Sequence, residues 1–382
     1  MNKRIVVAVC KYLLAFGLLG YVIWANWEPK EGNGLKAVWD KHIVQGQPIH
    51  WQYLLLGTAI YGVCVLLTLM RWYLLVRAQD LPFKVSDALR LGMVGIYFSA
   101  FLPGSVGGDV IRAAFLAREQ KDRRTVAVAT VLMDRAISLW GLIWFVALLG
   151  SGFWAAGMLE GSAEGPAKFI VKSAVIIVAV TGAIWVGLGF LPPRRAEIFA
   201  GRLSRVPKIG GSLAELWRAV WMYRLRPKSI ALTMVLSWVG HVGFVTSFYC
   251  FSLTLWDGSP DNPIPSLTQH FLIVPIGLVI AATPLFPGGI GIGELGYGGL
   301  YKLFGSDAAN GVRASLVKRV IDWVFGLVGW VVYLRSRSGI LPAEKPLAPT
   351  VPNVVPSGKS SGVIMTGEAR WGTVPIEKAQ VS

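Results

Sequence analysis

Two glycine-rich segments interrupt long apolar runs, and each is followed by an acidic residue. Asp109 lies six residues after Pro103, and Glu294 lies seven residues after Pro287. Proline and clustered glycines break a helix. The half-helix that restarts after such a break presents free N–H groups and a partial positive charge, which suit a phosphate or another anion. The pattern therefore indicates two broken helices that could hold an anionic group.

Arginines also occupy matched positions in the apolar runs downstream. Arg135 and Arg319 each follow the proline of their own segment by 32 residues, and Asp134, Lys318 and Asp322 are ionisable neighbours. A charge so deep in a span costs at least about 2.5–3.5 kcal/mol, so it should face a partner or water. Neighbours on a helix point about 100° apart, and we therefore expect the charges to pair across the two spans.

These charges allow two interpretations. They could form buried salt bridges that join the two halves. Alternatively, the basic groups hold an anionic headgroup while Asp109, Asp134, Glu294 and Asp322 take part in coupling or gating. The glycines alone could serve close helix packing, and Asp109 with Arg112 could be an ordinary ion pair at a helix end.

The candidate site is a substrate-binding and translocation site, with no catalytic residue, metal ligand or cofactor assigned. It comprises Pro103, Gly104, Ser105, Gly107, Gly108, Asp109, Arg112, Asp134, Arg135, Pro287, Gly288, Gly289, Gly291, Glu294, Lys318, Arg319 and Asp322.

The composition is that of a membrane protein. Of 382 residues 54% are apolar and only 15% are charged, against about 25% charged residues in soluble domains. Apolar runs of 18 or more residues predict transmembrane helices. The three cysteines lie inside such runs, which excludes a secreted disulfide scaffold.

The formal net charge of +16 does not indicate nucleic-acid binding. The 37 Lys and Arg residues cluster between apolar segments, mostly between alternate ones. This is the positive-inside bias of a multi-pass membrane protein. The basic loop 191–229 should therefore be cytoplasmic, with both termini, in a bacterial inner membrane. The predicted crossings are residues 5–26, 52–76, 125–149, 169–191, 229–256 and 312–334.

The two glycine-rich stretches do not fit as simple crossings. Residues 91–111 have basic flanks on both sides, and residues 271–304 must begin and end outside. We interpret both as re-entrant hairpins that enter from opposite faces, although pairs of full helices would preserve every other orientation. Such an inverted repeat with broken segments in matching places points to a transport site.

The predicted fold is an all-α polytopic membrane protein with about six crossings and two broken re-entrant hairpins arranged as an inverted repeat. Residues 1–338 form the transmembrane domain. Residues 339–382 are rich in proline and are expected to be a disordered cytoplasmic tail.

The two glycine-rich motifs resemble the signatures of the flippase-like membrane family that includes the transmembrane region of lysylphosphatidylglycerol synthases. The motifs are residues 102–112 and 287–294, the Asp134-Arg135 pair also fits, and the resemblance covers about residues 5–335. It implies a lipid-translocating module. In the synthases this region is joined to an aminoacyl-transferase domain, which we expect to be absent here, so that lysyl transfer is not implied.

We therefore expect an integral membrane transporter of an anionic lipid or lipid-linked headgroup, and not an enzyme. The alternatives are a membrane-embedded lipid-modifying transferase and a non-catalytic membrane partner of a separate lipid-modifying enzyme. The expected partners are membrane lipids and not nucleic acid. A homo-oligomer and a separate enzyme both stay open. No Walker motif is present, which argues against ATP-driven transport by this chain alone.

Overall fold

A computed structural model describes residues 3–28, 34–101, 107–158, 164–207, 209–260, 262–283 and 286–340. Within these ranges the chain forms thirteen α-helices and no strand, which confirms the all-α prediction. Most of the predicted tail, from residue 341 onward, lies outside the described residues. The helices are α1 (Lys3–Ala25), α2 (Leu35–Trp39), α3 (Trp51–Arg77), α4 (Val85–Phe101), α5 (Gly107–Glu119), α6 (Arg124–Ala155), α7 (Glu164–Gly189), α8 (Pro193–Leu203), α9 (Gly210–Met222), α10 (Pro227–Leu253), α11 (Leu267–Ala281), α12 (Ile292–Leu303) and α13 (Ala308–Ile340).

Each of the six predicted crossings coincides with one long helix, namely α1, α3, α6, α7, α10 or α13. In the described part of the chain, four segments are long and apolar enough to span a membrane: Trp51–Arg77, Lys121–Ala155, Ala167–Gly189 and Pro227–Leu253. Their outer faces expose large apolar side chains such as Leu55. Apolar surface of this extent marks a membrane-facing helix in a protein of this composition.

Helices α3 and α10 form an antiparallel pair along most of their length. Phe251 packs at Gly57 near one end, and Cys64 packs at Gly243 nearer the middle. The backbone N–H of His50, just before α3, donates to the carbonyl of Thr254, just after α10 (3.1 Å). The start of α3 and the end of α10 therefore lie together at one end of the bundle.

The loops rich in arginine and lysine lie together at the opposite end. The Tyr223 hydroxyl donates to the Leu75 carbonyl (3.0 Å), and Gln79 donates to the Ala219 carbonyl (2.9 Å). Arg123 donates to the carbonyl of Gln79 (3.0 Å). We call this the basic end, formed by residues 77–84, 119–124 and 219–228. The far end is formed by residues 35–50 and 254–266.

Four shorter helices make two hairpins. Arg90 near the start of α4 lies 3.5 Å from Glu119 at the end of α5, so this hairpin begins and ends at the basic end. His270 Nε2 in α11 lies 2.6 Å from the hydroxyl of Tyr301 in α12, and this hairpin begins and ends at the far end. The four helices have 17, 13, 15 and 12 residues. At 1.5 Å per residue each measures about 18–26 Å.

The closed ends of the two hairpins approach each other beside α1. Gly288 has φ +56°, and a Cβ added there would lie 3.4 Å from the Ala100 carbonyl oxygen near the end of α4. The Tyr12 hydroxyl of α1 donates to the Phe101 carbonyl. A Cβ at Gly291 would lie 2.8 Å from the Ala15 carbonyl oxygen, also in α1. Helix α1 therefore covers both the end of α4 and the second break.

The apolar core is divided between the two hairpins. One cluster joins α3, α4, α5 and α6 near the basic end and includes Trp72, Leu91 and Leu116. Another joins α6, α10, α11, α12 and α13 and includes Phe248 and Tyr297. Each hairpin is thus packed into the bundle by a cluster of its own.

Candidate functional site

The first charged group contains three arginines and two aspartates from three helices. We call it the Asp134 cluster: Arg71 of α3, Asp109 and Arg112 of α5, and Asp134 and Arg135 of α6. Arg71 Nε lies 2.8 Å from Asp134 Oδ1, and Arg112 Nη1 lies 3.7 Å from Asp134 Oδ2. Arg135 forms an ion pair with Asp109. Three guanidinium groups against two carboxylates leave a formal excess of one positive charge.

Asp134 is the buried centre of this cluster. Its side chain is 2% exposed, and the Arg71 side chain is 5% exposed. The Arg71 Nη1 atom donates to the Ser237 hydroxyl of α10 (2.9 Å), which holds the guanidinium in place. A buried carboxylate is tolerated only with such partners. Asp134 therefore joins α3, α5 and α6 and is linked through Arg71 to α10.

Arg112 lies between the two aspartates and an aromatic ring. Its Nη1 atom lies 3.5 Å from Asp109 Oδ1, and its guanidinium carbon lies 4.1 Å from the centre of the Trp72 ring. In the part of the chain that the structure describes, its Nε and Nη2 atoms have no hydrogen-bond partner. The cation–π contact with Trp72 compensates part of that desolvation.

Gly108 places this cluster by permitting α5 to approach α4. A Cβ at Gly108 would lie only 2.0 Å from the Gly95 carbonyl oxygen of α4. No larger residue fits without moving one helix. Asp109 follows Gly108 directly and Arg112 lies one turn later in α5, so the positions of both depend on this close contact.

Arg135 differs from the other arginines of the cluster in its exposure. Half of its side-chain surface (50%) is uncovered by protein, although Asp109 binds it. It lies eleven residues into α6, about 16 Å from the start of that helix. At this depth the uncovered surface must meet either lipid chains or water, and contact with lipid chains would be costly.

The second charged group is smaller and fully bonded. Glu294 is completely buried; its Oε1 atom lies 2.5 Å from Arg319 Nε, and its Oε2 atom accepts the Gly291 N–H (2.8 Å). Arg319 also donates to the carbonyls of Gly288 (3.2 Å) and Gly289 (3.1 Å). Ser315 donates to Glu294 Oε1 (3.3 Å). This pair therefore fixes the backbone of the glycine-rich turn, where Gly288, Gly289 and Gly291 all have positive φ.

A further ion pair follows on the same helix. Lys318 Nζ lies 2.7 Å from Asp322 Oδ2, and the Tyr61 hydroxyl of α3 donates to Asp322 Oδ1 (2.6 Å). The side chains of Lys318 and Asp322 are 20% and 29% exposed. They are more accessible than the side chains of Arg319 and Glu294, which are 9% and 0% exposed.

The expected pairing of charges across the two long spans is wrong. Asp134 pairs with Arg71, Arg135 pairs with Asp109, and Arg319 pairs with Glu294. Each of the last two pairs joins the first turn of a helix that follows a break to the next long helix. The pairs form within each half because each hairpin packs against the long helix that follows it.

The remaining predicted residues take up several positions. Gly107 begins α5, and Pro287 is buried in the turn before α12. Pro103, Gly104 and Ser105 lie outside the described residues.

Four partners of these charges were not predicted as site residues. They are Arg71, Ser237, Ser315 and Tyr61. Arg71 carried a usable signal, because it lies inside the apolar run 52–76 and so needs a partner. The three hydroxyl groups carry no such signal, since serine and tyrosine are common in membrane helices without binding charges.

Comparison with known proteins places the chain in a family. The sequence profile described as the lysylphosphatidylglycerol synthase TM region matches residues 11–329. The chain belongs to this family. It is 22% identical over 306 residues to a UPF0104 membrane protein of Pyrococcus horikoshii, covering 75% of this chain and 88% of that protein. It is 23% identical over 309 residues to a UPF0104 membrane protein of Methanothermobacter thermautotrophicus, covering 74% and 83%.

Family membership confirms the resemblance seen in the two motifs and a multi-pass membrane protein. Among the described residues, no group of three His, Cys, Asp or Glu side chains is placed to hold a metal ion. The side chains described in the two charged groups carry guanidinium, ammonium, carboxylate and hydroxyl groups, which bind and orient charged ligands.

Proposed function

We propose that this protein moves an anionic lipid, or a lipid-linked anionic headgroup, between the two leaflets of the membrane. The headgroup passes between the two glycine-rich breaks while the acyl chains stay in the bilayer. Arg135 and Lys318 contact the headgroup. Arg319 and Glu294 act as positioning residues, because they hold the turn at Gly288 and Gly289.

The observation that carries this proposal is the half-uncovered side chain of Arg135 deep in α6. Contact of that surface with lipid chains would cost several kcal/mol, which favours a water-filled recess. The excess positive charge of the Asp134 cluster makes such a recess attractive to an anion. A recess of this kind is where a headgroup could leave bulk water without losing polar contacts.

The proposal includes two re-entrant hairpins that form an inverted repeat. The lengths of α4, α5, α11 and α12 support it, because each is shorter than the hydrocarbon thickness of about 30 Å. The matching ion pairs Asp109–Arg135 and Glu294–Arg319 support the repeat. Irregular backbone within a bilayer is tolerated where it lines a cavity or is packed in protein.

The basic end faces the cytoplasm in this proposal, with both termini on that side of a bacterial inner membrane. The lysines and arginines of the loops at that end support this orientation. In this proposal the headgroup moves between a recess near the basic end and the region of Lys318 and Asp322 beyond the second break.

Reconstitution into liposomes tests the proposal. We expect the wild-type chain to expose inner-leaflet phosphatidylglycerol, labelled with nitrobenzoxadiazole, to dithionite added outside. Arg135→Ala removes the uncovered cation and should slow this exchange at least about tenfold, which corresponds to about 1.4 kcal/mol in the barrier.

Arg226→Ala is the matched control, because Arg226 is an exposed arginine paired with Asp80 at the basic end. It should exchange lipid at the wild-type rate. Equal exchange by wild type and Arg135→Ala, or no exchange above protein-free vesicles by the wild type, contradicts the proposal.

A further inference from the structure

A small pocket lies at the far end of the bundle, away from both charged groups described above. Its polar lining comes from Lys41, His42, Asp257, Asn262 and Arg313. Lys41 and His42 belong to the short helical segment that follows α2, and Asp257 and Asn262 belong to the loop after α10. Arg313 is in the second turn of α13. The pocket thus joins three separate parts of the chain.

Arg313 is the unexplained group in this pocket. The residue is only 5% exposed. Over the described ranges, its Nε and Nη2 atoms are buried without a hydrogen-bond partner. Burying a guanidinium without partners is unfavourable, because several N–H donors lose their water and gain nothing in return. An arginine kept in such a place needs an acceptor that the described chain does not supply.

Asp257, the one carboxylate among these lining residues, already has partners. Lys41 forms an ion pair with Asp257, and the Ser259 backbone N–H also donates to Asp257 (3.1 Å). Partial burial opposes ionisation of Asp257, but these bonds outweigh it and lower the pKa of the carboxyl. Asp257 is therefore charged at neutral pH and is neutralised by Lys41, so that Arg313 contributes an uncompensated positive charge.

Asn262 adds a polar wall that is fixed in place. Its Oδ1 atom accepts from Asn310 Nδ2 (2.6 Å), and Asn310 also bonds the Ser306 hydroxyl (3.2 Å). Both asparagines are buried. The side of the pocket beside α13 is thus fixed by hydrogen bonds. The free space of about 10 Å³ holds about one water, so a larger group enters only when the Lys41 side of the pocket moves.

We propose that this pocket binds the oxygen atoms of one anionic group, a phosphate or phosphodiester, with Arg313 as the main contact and Lys41 at the mouth. The group could belong to a free ion or to the headgroup of a lipid in the adjacent leaflet, because both offer the same acceptor oxygens. Binding here does not depend on the translocation proposed above, since neither Arg135 nor the second break takes part.

Thermal unfolding of the full chain in detergent tests the proposal. Inorganic phosphate is titrated against sodium chloride at equal ionic strength, and dihexanoyl phosphatidylglycerol is titrated separately in chloride buffer. We expect at least one probe to raise the Tm of the wild type in a saturable way. In Arg313→Gln the apparent Kd for that probe should rise about tenfold or more, because the charged hydrogen bonds are lost.

The two arms distinguish the source of the anion. A shift with the lipid alone assigns a headgroup site, and a shift with phosphate alone assigns a site for a free ion. Arg226→Gln, a change of the same type at the basic end, should keep the wild-type Kd. Arg313→Gln should exchange lipid in liposomes at the wild-type rate, so a failure of this proposal and a failure of the translocation proposal can be told apart.

Two results would overturn the proposal. One is the absence of a saturable shift with either probe in the wild type. The other is a large fall in the Tm of Arg313→Gln in chloride buffer alone, which would mean that the guanidinium already has a partner within the chain.

Discussion

The two arginines that follow the breaks have the same sequence spacing but different surroundings. Every nitrogen of Arg319 has an acceptor: the Glu294 carboxylate and the carbonyls of Gly288 and Gly289. Arg135 binds Asp109 and leaves half of its side-chain surface open. An arginine whose three nitrogens all bind the protein stabilises structure, whereas one with an exposed guanidinium can bind a ligand. The two arginines therefore correspond in sequence position and differ in their contacts.

Lysine should not replace the hydrogen bonds that the Arg319 guanidinium makes to three acceptors. Arg319→Lys keeps the charge, but one ammonium group cannot reach Glu294 and both turn carbonyls together. We expect the free energy of unfolding to fall by about 1–3 kcal/mol, because buried acceptors lose their donors. Titration with sodium dodecyl sulfate, followed by circular dichroism, measures this loss.

The matched control is Arg226→Lys, whose arginine forms an exposed ion pair with Asp80. It should change the free energy of unfolding by no more than about 0.5 kcal/mol. If both variants lost the same free energy of unfolding, the hydrogen bonds from Arg319 to the turn carbonyls would not contribute to stability.

Among the elements, the α4–α5 hairpin depends on the closest backbone contact at the site. Gly108→Ala places a methyl group 2.0 Å from the Gly95 carbonyl oxygen. The helices must separate, which we expect to cost about 1–3 kcal/mol and to move Asp109 away from Arg135. Lipid exchange and stability should therefore fall together.

Gly182→Ala in α7 is the control for that variant. An added Cβ at Gly182 has no neighbour within 4 Å, and alanine favours a helix over glycine by up to about 1 kcal/mol. This variant should be as stable as the wild type or more stable. Unchanged exchange in Gly108→Ala would mean that the spacing of α4 and α5 does not position the charges.

The elements were largely predictable from the sequence, and the contacts between them were not. The run 52–76 predicts α3 within one residue at each end, because the run ends where charged residues begin. The rotation of α6 about its own axis turns Asp134 towards α3 and Arg135 towards α5. That rotation depends on which helices pack around α6, and a single sequence does not contain this information. The sequence therefore indicates that Arg71 needs a partner but does not say which residue that partner is.

In the whole molecule, charge is distributed unevenly between the two ends of the bundle. The orientation proposed from this asymmetry can be tested with single cysteines in a Cys10→Ser background, because Cys64 and Cys250 are buried. Gln45→Cys lies at the far end and Lys121→Cys at the basic end, and both positions are exposed. A membrane-impermeant maleimide should label Gln45→Cys in intact spheroplasts and should label Lys121→Cys only after lysis. The reverse pattern would invert the proposed topology.

The covering helix α1 has a consequence for how a lipid could reach the interior. Ala15 and Val22 are fully buried on it, while Leu13, Leu14 and Phe16 are exposed. The buried side of α1 thus packs against the backbone of Gly291. The Glu294 carboxylate accepts the N–H of that same residue. A sideways displacement of this one helix would create a lateral portal from the acyl chains to the paired charges, with the remaining helices left in place.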